Sequence, residues 1–142
     1  MTVVDASVWV SYFLEQDAHH ARSHEWLTRQ PYGNADFAIP NLCVVEVAGA
    51  IARRTGESDL SRVAVRYFMN SPAVHVDPST NSFAVQASLI ASSARLRGAD
   101  AVYVALARRL RCPLVTWDVE MLSRVKHIVT VGSPDTFHMD EP

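Results

Sequence analysis

Lysine is nearly absent from this sequence: Lys126 is the only one, and the other 12 of the 13 basic residues are arginine. Against 15 acidic residues this leaves a formal net charge of −2, so the chain as a whole is not a polycation and any contact with a polyanion must be a local patch. Cysteine is scarce too. Cys43 and Cys112 cannot build a disulfide framework or a zinc ribbon, and each reads as an isolated buried thiol. Five glycines and seven prolines exclude collagen-like and low-complexity chains. The start of the sequence lacks a basic stretch followed by an apolar one, so no signal peptide is expected. The apolar run 101–107 falls far short of the ~20 residues that cross a bilayer. A cytoplasmic protein with no membrane contact is the expectation.

What is present is an ordinary globular balance, 49% apolar and 20% charged over 142 residues. That length suits a single domain over 1–142, with a polar tail from about 132 that reads as partly loose. Short β-branched runs at 2–4, 36–39, 73–76, 113–116 and 128–131 read as strands. Helical stretches separate them, at 8–14, 19–29, 41–54, from about 58, 79–97, 100–110 and 119–125. Residues 31–34 carry turn chemistry, Asn41 and Asp100 read as helix caps, and Gly98 reads as a helix breaker. Alternation of this kind implies an α/β fold, a parallel sheet of about five strands covered by helices on both faces. In such sheets ligands bind at the carboxyl ends of the strands, where Asp5 and Asp118 fall.

Four acidic residues stand in apolar surroundings: Asp5, Glu46, Asp100 and Asp118. Asp5, Asp100 and Asp118 each have an alternative as a helix cap. Glu46 is harder to explain that way. It lies mid-helix, with Leu42, Cys43, Gly49 and Ala50 at the neighbouring positions of its face, so no basic partner exists on its own helix. A tertiary arginine is its plain alternative. If the four share a pocket, each pair about 5 Å apart costs about 3 kcal/mol at an effective dielectric of 20. Several such pairs rival the ~5–15 kcal/mol stability of a whole domain, so protons or a cation must relieve them. Hard oxygen ligands without His or Cys favour Mg²⁺ or Mn²⁺ over zinc.

These residues resemble the PIN domain family, and within it the VapC-like toxins. The resemblance spans nearly the whole chain. It rests on Val-Val-Asp5-Ala-Ser7, on Pro40 to Val47 around Glu46, and on Pro113-Leu-Val-Thr116-Trp117-Asp118. The most specific piece is Gly-Ala-Asp-Ala-Val-Tyr-Val-Ala-Leu-Ala at 98–107, and Ser133 to Phe137 resembles the family's C-terminal signature. The resemblance implies a three-layer α/β/α fold and a metal-dependent endoribonuclease that leaves a 3′-hydroxyl and a 5′-phosphate. It implies that Asp5 and Asp100 are the principal metal ligands, completed by Glu46 and Asp118, with Ser7 and Thr116 orienting carboxylates. For Ser7 a helix cap, and for Thr116 a strand-former, is the alternative. It further implies an RNA substrate, a small antitoxin partner and a homodimer formed through helices.

Trp117 puts a large aromatic between Thr116 and Asp118, and Glu120 is a rival to Asp118. Arg53, Arg54, Arg62, Arg66, Arg108, Arg109 and Arg111 are candidates for an RNA path, with exposed helix faces as their alternative. The apolar residues of 60–68 suit either a core face or a subunit contact. His20 and His24 have zinc-compatible spacing but no third ligand in register, and Trp9, Trp26 and Tyr103 read as core. Two other functions compete: a PIN scaffold with a weak metal site that only binds, and a receiver-type phospho-acceptor. The latter wants adjacent acids after the first strand, where this chain has Ala6 and Ser7.

Overall fold

Thr2, Val3 and Val4 are buried on both faces, as an interior parallel strand requires, and form β1 (Thr2–Val4). The computed structural model describes residues 1–29 and 37–137. Beside β1 lie β2 (Phe37–Pro40), β3 (Val74–Asp77), β4 (Leu114–Val115) and β5 (Val131–Gly132). All neighbours pair in parallel, in the order β3-β2-β1-β4-β5. The chain leaves β1 toward β2 and β3, then returns past β1 to β4 and β5. The order therefore reverses between β1 and β4, and the crevice at their carboxyl ends is where such sheets bind ligands.

The helices are α1 (Ala6–Phe13), α2 (His20–Thr28), α3 (Asn41–Thr55), α4 (Ser58–Asn70), α5 (Asn81–Ala94), α6 (Gly98–Leu110) and α7 (Val119–Arg124). They flank the sheet in a three-layer α/β/α arrangement. α1 packs on α2 and α3, α3 on α4, α5 on α6, and α6 against β1, β2 and β4. Trp9 is fully buried in an aromatic knot with Phe37 and Phe68, at centroid distances of 5.8 and 5.2 Å. Tyr103 is fully buried and Trp26 nearly so, which bears out their reading as core. Leu60, Ala64, Tyr67 and Phe68 turn to the core, leaving Val63 exposed on that helix.

Several boundaries differ from the expectation. Asn41 is not a cap: Pro40 holds the cap position of α3, and Asn41 Oδ1 accepts from Ser79 Oγ at 2.9 Å. The helix expected over 79–97 starts after Thr80, which caps Phe83 N–H, and stops at Ala94. Arg95 adopts the left-handed conformation (φ 54°), letting buried Leu96 close its N–H on Ala91 O at 3.0 Å. Gly98 therefore opens α6 instead of ending a helix, and Arg97 rather than Asp100 holds the cap position of α6. The fifth strand slides from 128–131 to Val131–Gly132, because Ile128 and Val129 bond back to Val125 O at 2.8 and 3.1 Å. Cys43 is buried as expected, but Cys112 is only half-buried.

The tail is docked at least to Phe137. Trp26 Nε1 donates to Phe137 O at 2.9 Å, and the Phe137 side chain lies so close to Gly132 that an added Cβ would stand 3.2 Å from it. The turn expected at 31–34 and the last five residues, 138–142, lie outside the described residues. Among the described residues no helix is long and apolar enough to cross a membrane.

Candidate active site

Asp5 follows β1 directly, and its nearly buried carboxylate is held through one oxygen. Oδ2 accepts from Ser7 N–H at 3.2 Å, Ser7 Oγ at 2.5 Å and Thr116 Oγ1 at 2.9 Å. Each hydroxyl also accepts a backbone N–H from the segment after β4: Trp117 N to Ser7 Oγ at 3.1 Å, and Asp118 N to Thr116 Oγ1 at 2.9 Å. Two hydroxyls thus rivet the ends of the neighbouring strands together while steering the carboxylate. Asp5 is also the cap of α1, so capping and site-building coincide in one side chain. Oδ1 accepts no hydrogen bond among the described residues. Burial raises the Asp5 pKa despite the hydroxyl bonds, and the charge of Asp100 adds to the rise.

Glu46 enters from α3. Its Oε2 is met by Tyr103 OH at 3.4 Å, and its Oε1 is buried with no hydrogen-bond partner among the described residues. Among the described residues no arginine forms an ion pair with it, so the tertiary pair that would have explained it away is not found there. Burial first, then the Asp5 charge, push its pKa up to about 7. Among the described residues the other buried polar atom left unbonded is Trp9 Nε1, inside the aromatic knot.

Asp100 stands in the first turn of α6, and Asp118 caps α7 by accepting Met121 N–H at 2.9 Å. A single arginine joins them: Arg97 Nε donates to Asp100 Oδ2 and its terminal nitrogen to Asp118 Oδ2, both at 3.0 Å. The Arg97 side chain is 68% exposed, so it spans the two acids from the solvent side instead of plugging the hollow. Burial raises the Asp100 pKa against the opposing pull of Arg97. Glu120, the rival acid, is ion-paired with Arg124 at 2.9 Å.

One cleft of about 410 Å³ is lined by Asp5, Ser7, Glu46, Arg97, Asp100 and Asp118, together with Ala6, Ala99 and Trp117. The structure thus brings together the four acids that the sequence singled out. Thr116, fully buried, supports the cleft from beneath. His20 and His24 take other partners: His20 Nδ1 lies 2.9 Å from Ser11 O, and His24 stacks on Tyr12. Of the arginines weighed for a nucleic-acid path, Arg62 pairs with Asp59 and Arg109 with Asp77, while Arg53 and Arg54 line a cleft adjoining the acidic one. Sequence reasoning missed Arg97, although its i,i+3 spacing to Asp100 at the start of a helix was a usable signal. It also placed Tyr103 in the core without foreseeing the reach of its hydroxyl.

The donor set fits a hard divalent cation. Every acidic donor is oxygen, Asp5 Oδ1 and Glu46 Oε1 accept no hydrogen bond among the described residues, and the Asp100 charge adds to the raised pKa of both Asp5 and Glu46. No group of three or more His, Cys, Asp or Glu side chains, among the described residues, stands close enough to hold an ion in its present arrangement. One oxygen each of Asp100 and Asp118 is committed to Arg97.

The family model of the PIN domain matches residues 2–128. The chain belongs to the PIN domain family. Among solved structures it is similar to VapC20 of Mycobacterium tuberculosis, described as a sarcin-ricin loop cleaving toxin, at 20% identity and TM-score 0.75, covering 100% of both chains. It is similar to a toxin–antitoxin complex from Klebsiella pneumoniae at 17% identity and TM-score 0.69, over 94% of this chain and 98% of that one. It is also similar to FitAcB of Neisseria gonorrhoeae at 18% identity and TM-score 0.69, over 96% of this chain and 100% of that one. These likenesses establish the PIN fold. Comparison with curated proteins finds no match.

Proposed function

We propose that this PIN domain is a Mg²⁺- or Mn²⁺-dependent endoribonuclease, acting as the toxin of a type II toxin–antitoxin pair. The observation that carries the reading is Glu46: a buried carboxylate oxygen without a partner, in the same cleft as three further acids. An unpartnered buried carboxylate oxygen is costly, and a divalent ion would compensate it.

Asp5, Glu46, Asp100 and Asp118 would hold the cation. When bound, it supplies charge for an attacking water and for the phosphate in the transition state. The chain's own residues do the rest. Ser7 and Thr116 fix the rotamer of Asp5 by donating to the same oxygen, leaving Oδ1 as its ligand atom. Tyr103 restrains Glu46 Oε2, leaving Oε1 free. Arg97 holds Asp100 and Asp118 from the solvent side, and its own exposure lets it swing away from the two acids. Phosphodiester hydrolysis at this site uses no His or Lys base, which suits a cleft lined by neither.

The structural relatives include a toxin–antitoxin complex, which supports a small antitoxin as partner. A homodimer and a cytoplasmic RNA target belong to the same reading. The Arg97 bridge favours a second one, a PIN scaffold with weak metal affinity that serves mainly to bind. The assay that separates them is RNA cleavage under Mg²⁺ and Mn²⁺ titration with Asp5→Asn and Asp100→Asn. Loss of cleavage in both variants, with the circular dichroism of the folded protein retained, is expected. Variants that cut as fast as the wild type would sink the assignment.

A further inference from the structure

A second cleft, of about 390 Å³, adjoins the acidic one and shares Ala6, Ser7, Glu46 and Trp117 with it. Its other walls carry Asp17, His19, Arg53 and Arg54. The two arginines occupy the last turn of α3 but are not equivalent. Arg54 is ion-paired with Asp17 at 2.7 Å. Arg53 is exposed and makes no ion pair among the described residues. An unpaired guanidinium beside a strongly acidic cleft is a phosphate donor in waiting, because its forked N–H groups match phosphate oxygens.

The aromatic wall opposite is rigidly built. Trp117 Nε1 donates to Ser23 Oγ at 2.8 Å, Ser23 lies 2.6 Å from Ser11 Oγ, and Ser11 Oγ donates to Val8 O at 2.8 Å. Since the Ser11 proton is spent on Val8, Ser23 must donate to Ser11, and every member of the relay is satisfied. Ser11 and Ser23 are essentially fully buried. The His19 ring stacks on Trp117 with centroids 4.1 Å apart and planes within 10°, and Arg22 lies 4.8 Å from the Trp117 ring centroid. Arg22 is itself tied to Asp135 at 2.6 Å. An indole pinned by a buried hydroxyl chain loses little freedom when a planar ligand packs beside it.

We propose that this cleft is a nucleotide subsite for single-stranded RNA, with a base against the Trp117–His19 wall and its phosphate on Arg53. The subsite accounts for how a polyanion approaches a cleft lined by four acids: the strand is gripped one wall away, where Arg53 and the aromatic wall stand. Stacking is tolerant of base identity, so this subsite supplies affinity and register, and other contacts supply sequence choice. The inference rests on the ribonuclease reading for the identity of the strand.

The test is fluorescence anisotropy of a labelled single-stranded 12-nucleotide RNA in EDTA, so that binding is read without cleavage. Trp117→Leu is expected to weaken binding about tenfold, the effect of losing one stacked base. Arg53→Gln is expected to weaken it several-fold and to flatten the dependence of log Kd on log salt by about 0.7, the counterion share of one phosphate. Arg62→Gln, on an arginine outside both clefts, should change neither. Because Trp117→Leu breaks the bond to Ser23, thermal unfolding accompanies it. Arg53 is exposed, so its variant tests the proposal without that burden. Wild-type affinity in both variants overturns the subsite, and failure of the wild type to bind RNA overturns it as well. Cleavage of the same RNA with Mg²⁺ judges the other reading separately. Cutting with unchanged variant affinities sinks the subsite alone, and subsite-dependent binding without cutting sinks the nuclease alone.

Discussion

Tyr103 OH stands 3.4 Å from Glu46 Oε2, and among the described residues no other polar group is hydrogen-bonded to that carboxylate. The contact is long for an O–H···O bond, so Glu46 is poorly compensated when ionised. Its pKa rises from 4.5 to about 7, chiefly through burial and secondarily through the Asp5 charge. The consequence for stability has a definite sign. Below pH 4.5 the carboxyl is protonated in both folded and unfolded chains and costs nothing. Between 4.5 and about 7 the folded chain keeps a proton that the unfolded one releases, so stability falls as pH rises, and above about 7 the loss is complete. Glu46→Gln removes this penalty. In EDTA it should raise Tm over wild type by a few degrees at pH 8, from about 1 kcal/mol after discounting for the half-exposed side chain, and by little at pH 4.5. A Tm difference that is the same at both pH values would contradict the account.

If Asp100 and Asp118 hold the proposed divalent cation, Arg97 competes with it for both acids. Arg97→Gln should therefore lower Tm in EDTA, where the two acids lose their bridge, yet tighten Mg²⁺ binding measured by calorimetry. A looser Mg²⁺ affinity in the variant would mean that Arg97 shapes the acids for the ion instead of competing with it. Occupancy itself should be visible: Mg²⁺ at about 100 times its Kd stabilises a folded protein by about 2.7 kcal/mol. Asp5→Asn should abolish most of that rise.

Ser7 and Thr116 each sit between a carboxylate and a backbone amide. Ser7→Ala strips Asp5 of its 2.5 Å hydroxyl bond and leaves the Trp117 amide without its acceptor. Exposing a part-buried amide and a carboxylate in this way costs about 1–3 kcal/mol, read by urea unfolding. Thr116→Val makes the parallel cut at the Asp118 amide. If the two hydroxyls act on one carboxylate, the double variant should lose less cleavage activity than the product of the single losses. Strictly multiplicative losses would show them to be independent.

The parallel sheet was legible because it depends on local signals. β-branched runs mark the strands, and Asp5 and Asp118 near the ends of two of them mark where a site can form, while the gathering of Glu46 and Asp100 with them was implied by the family resemblance. Glu46 was legible for the opposite reason, a charge on a helix face that offers it no partner. What escaped the sequence depends on tertiary geometry. A left-handed Arg95 ends α5 without a glycine, because burying Leu96 outweighs the local preference. A back-bonded turn at Val125 displaces the fifth strand. The relay from Trp117 to Val8 joins residues 94 and 12 positions apart, Trp117 with Ser23 and Ser23 with Ser11, and no spacing rule announces it.

The polar-looking segment after Gly132 makes a structural contribution that composition hides. Phe137 packs on the core, presses on Gly132 and receives the Trp26 indole N–H on its carbonyl. Gly132 is the second residue of β5, the last strand in the sheet order, so the contact fastens the tail to that strand. Phe137→Ala keeps the backbone carbonyl and removes only the ring. For a partly exposed aromatic the lost burial is about 1–2 kcal/mol, or a few degrees in Tm. Gly132→Ala tests the same contact from the other side, since its Cβ would meet the Phe137 ring at 3.2 Å and one of the two must move. Combined with Phe137→Ala, which removes ring Cδ2 but keeps the Phe137 Cβ at 3.2 Å and Thr136 Oγ1 at 3.3 Å, Gly132→Ala should cost somewhat less than it does alone. Additive costs in the double variant would mean that the ring and the glycine do not press on each other in solution.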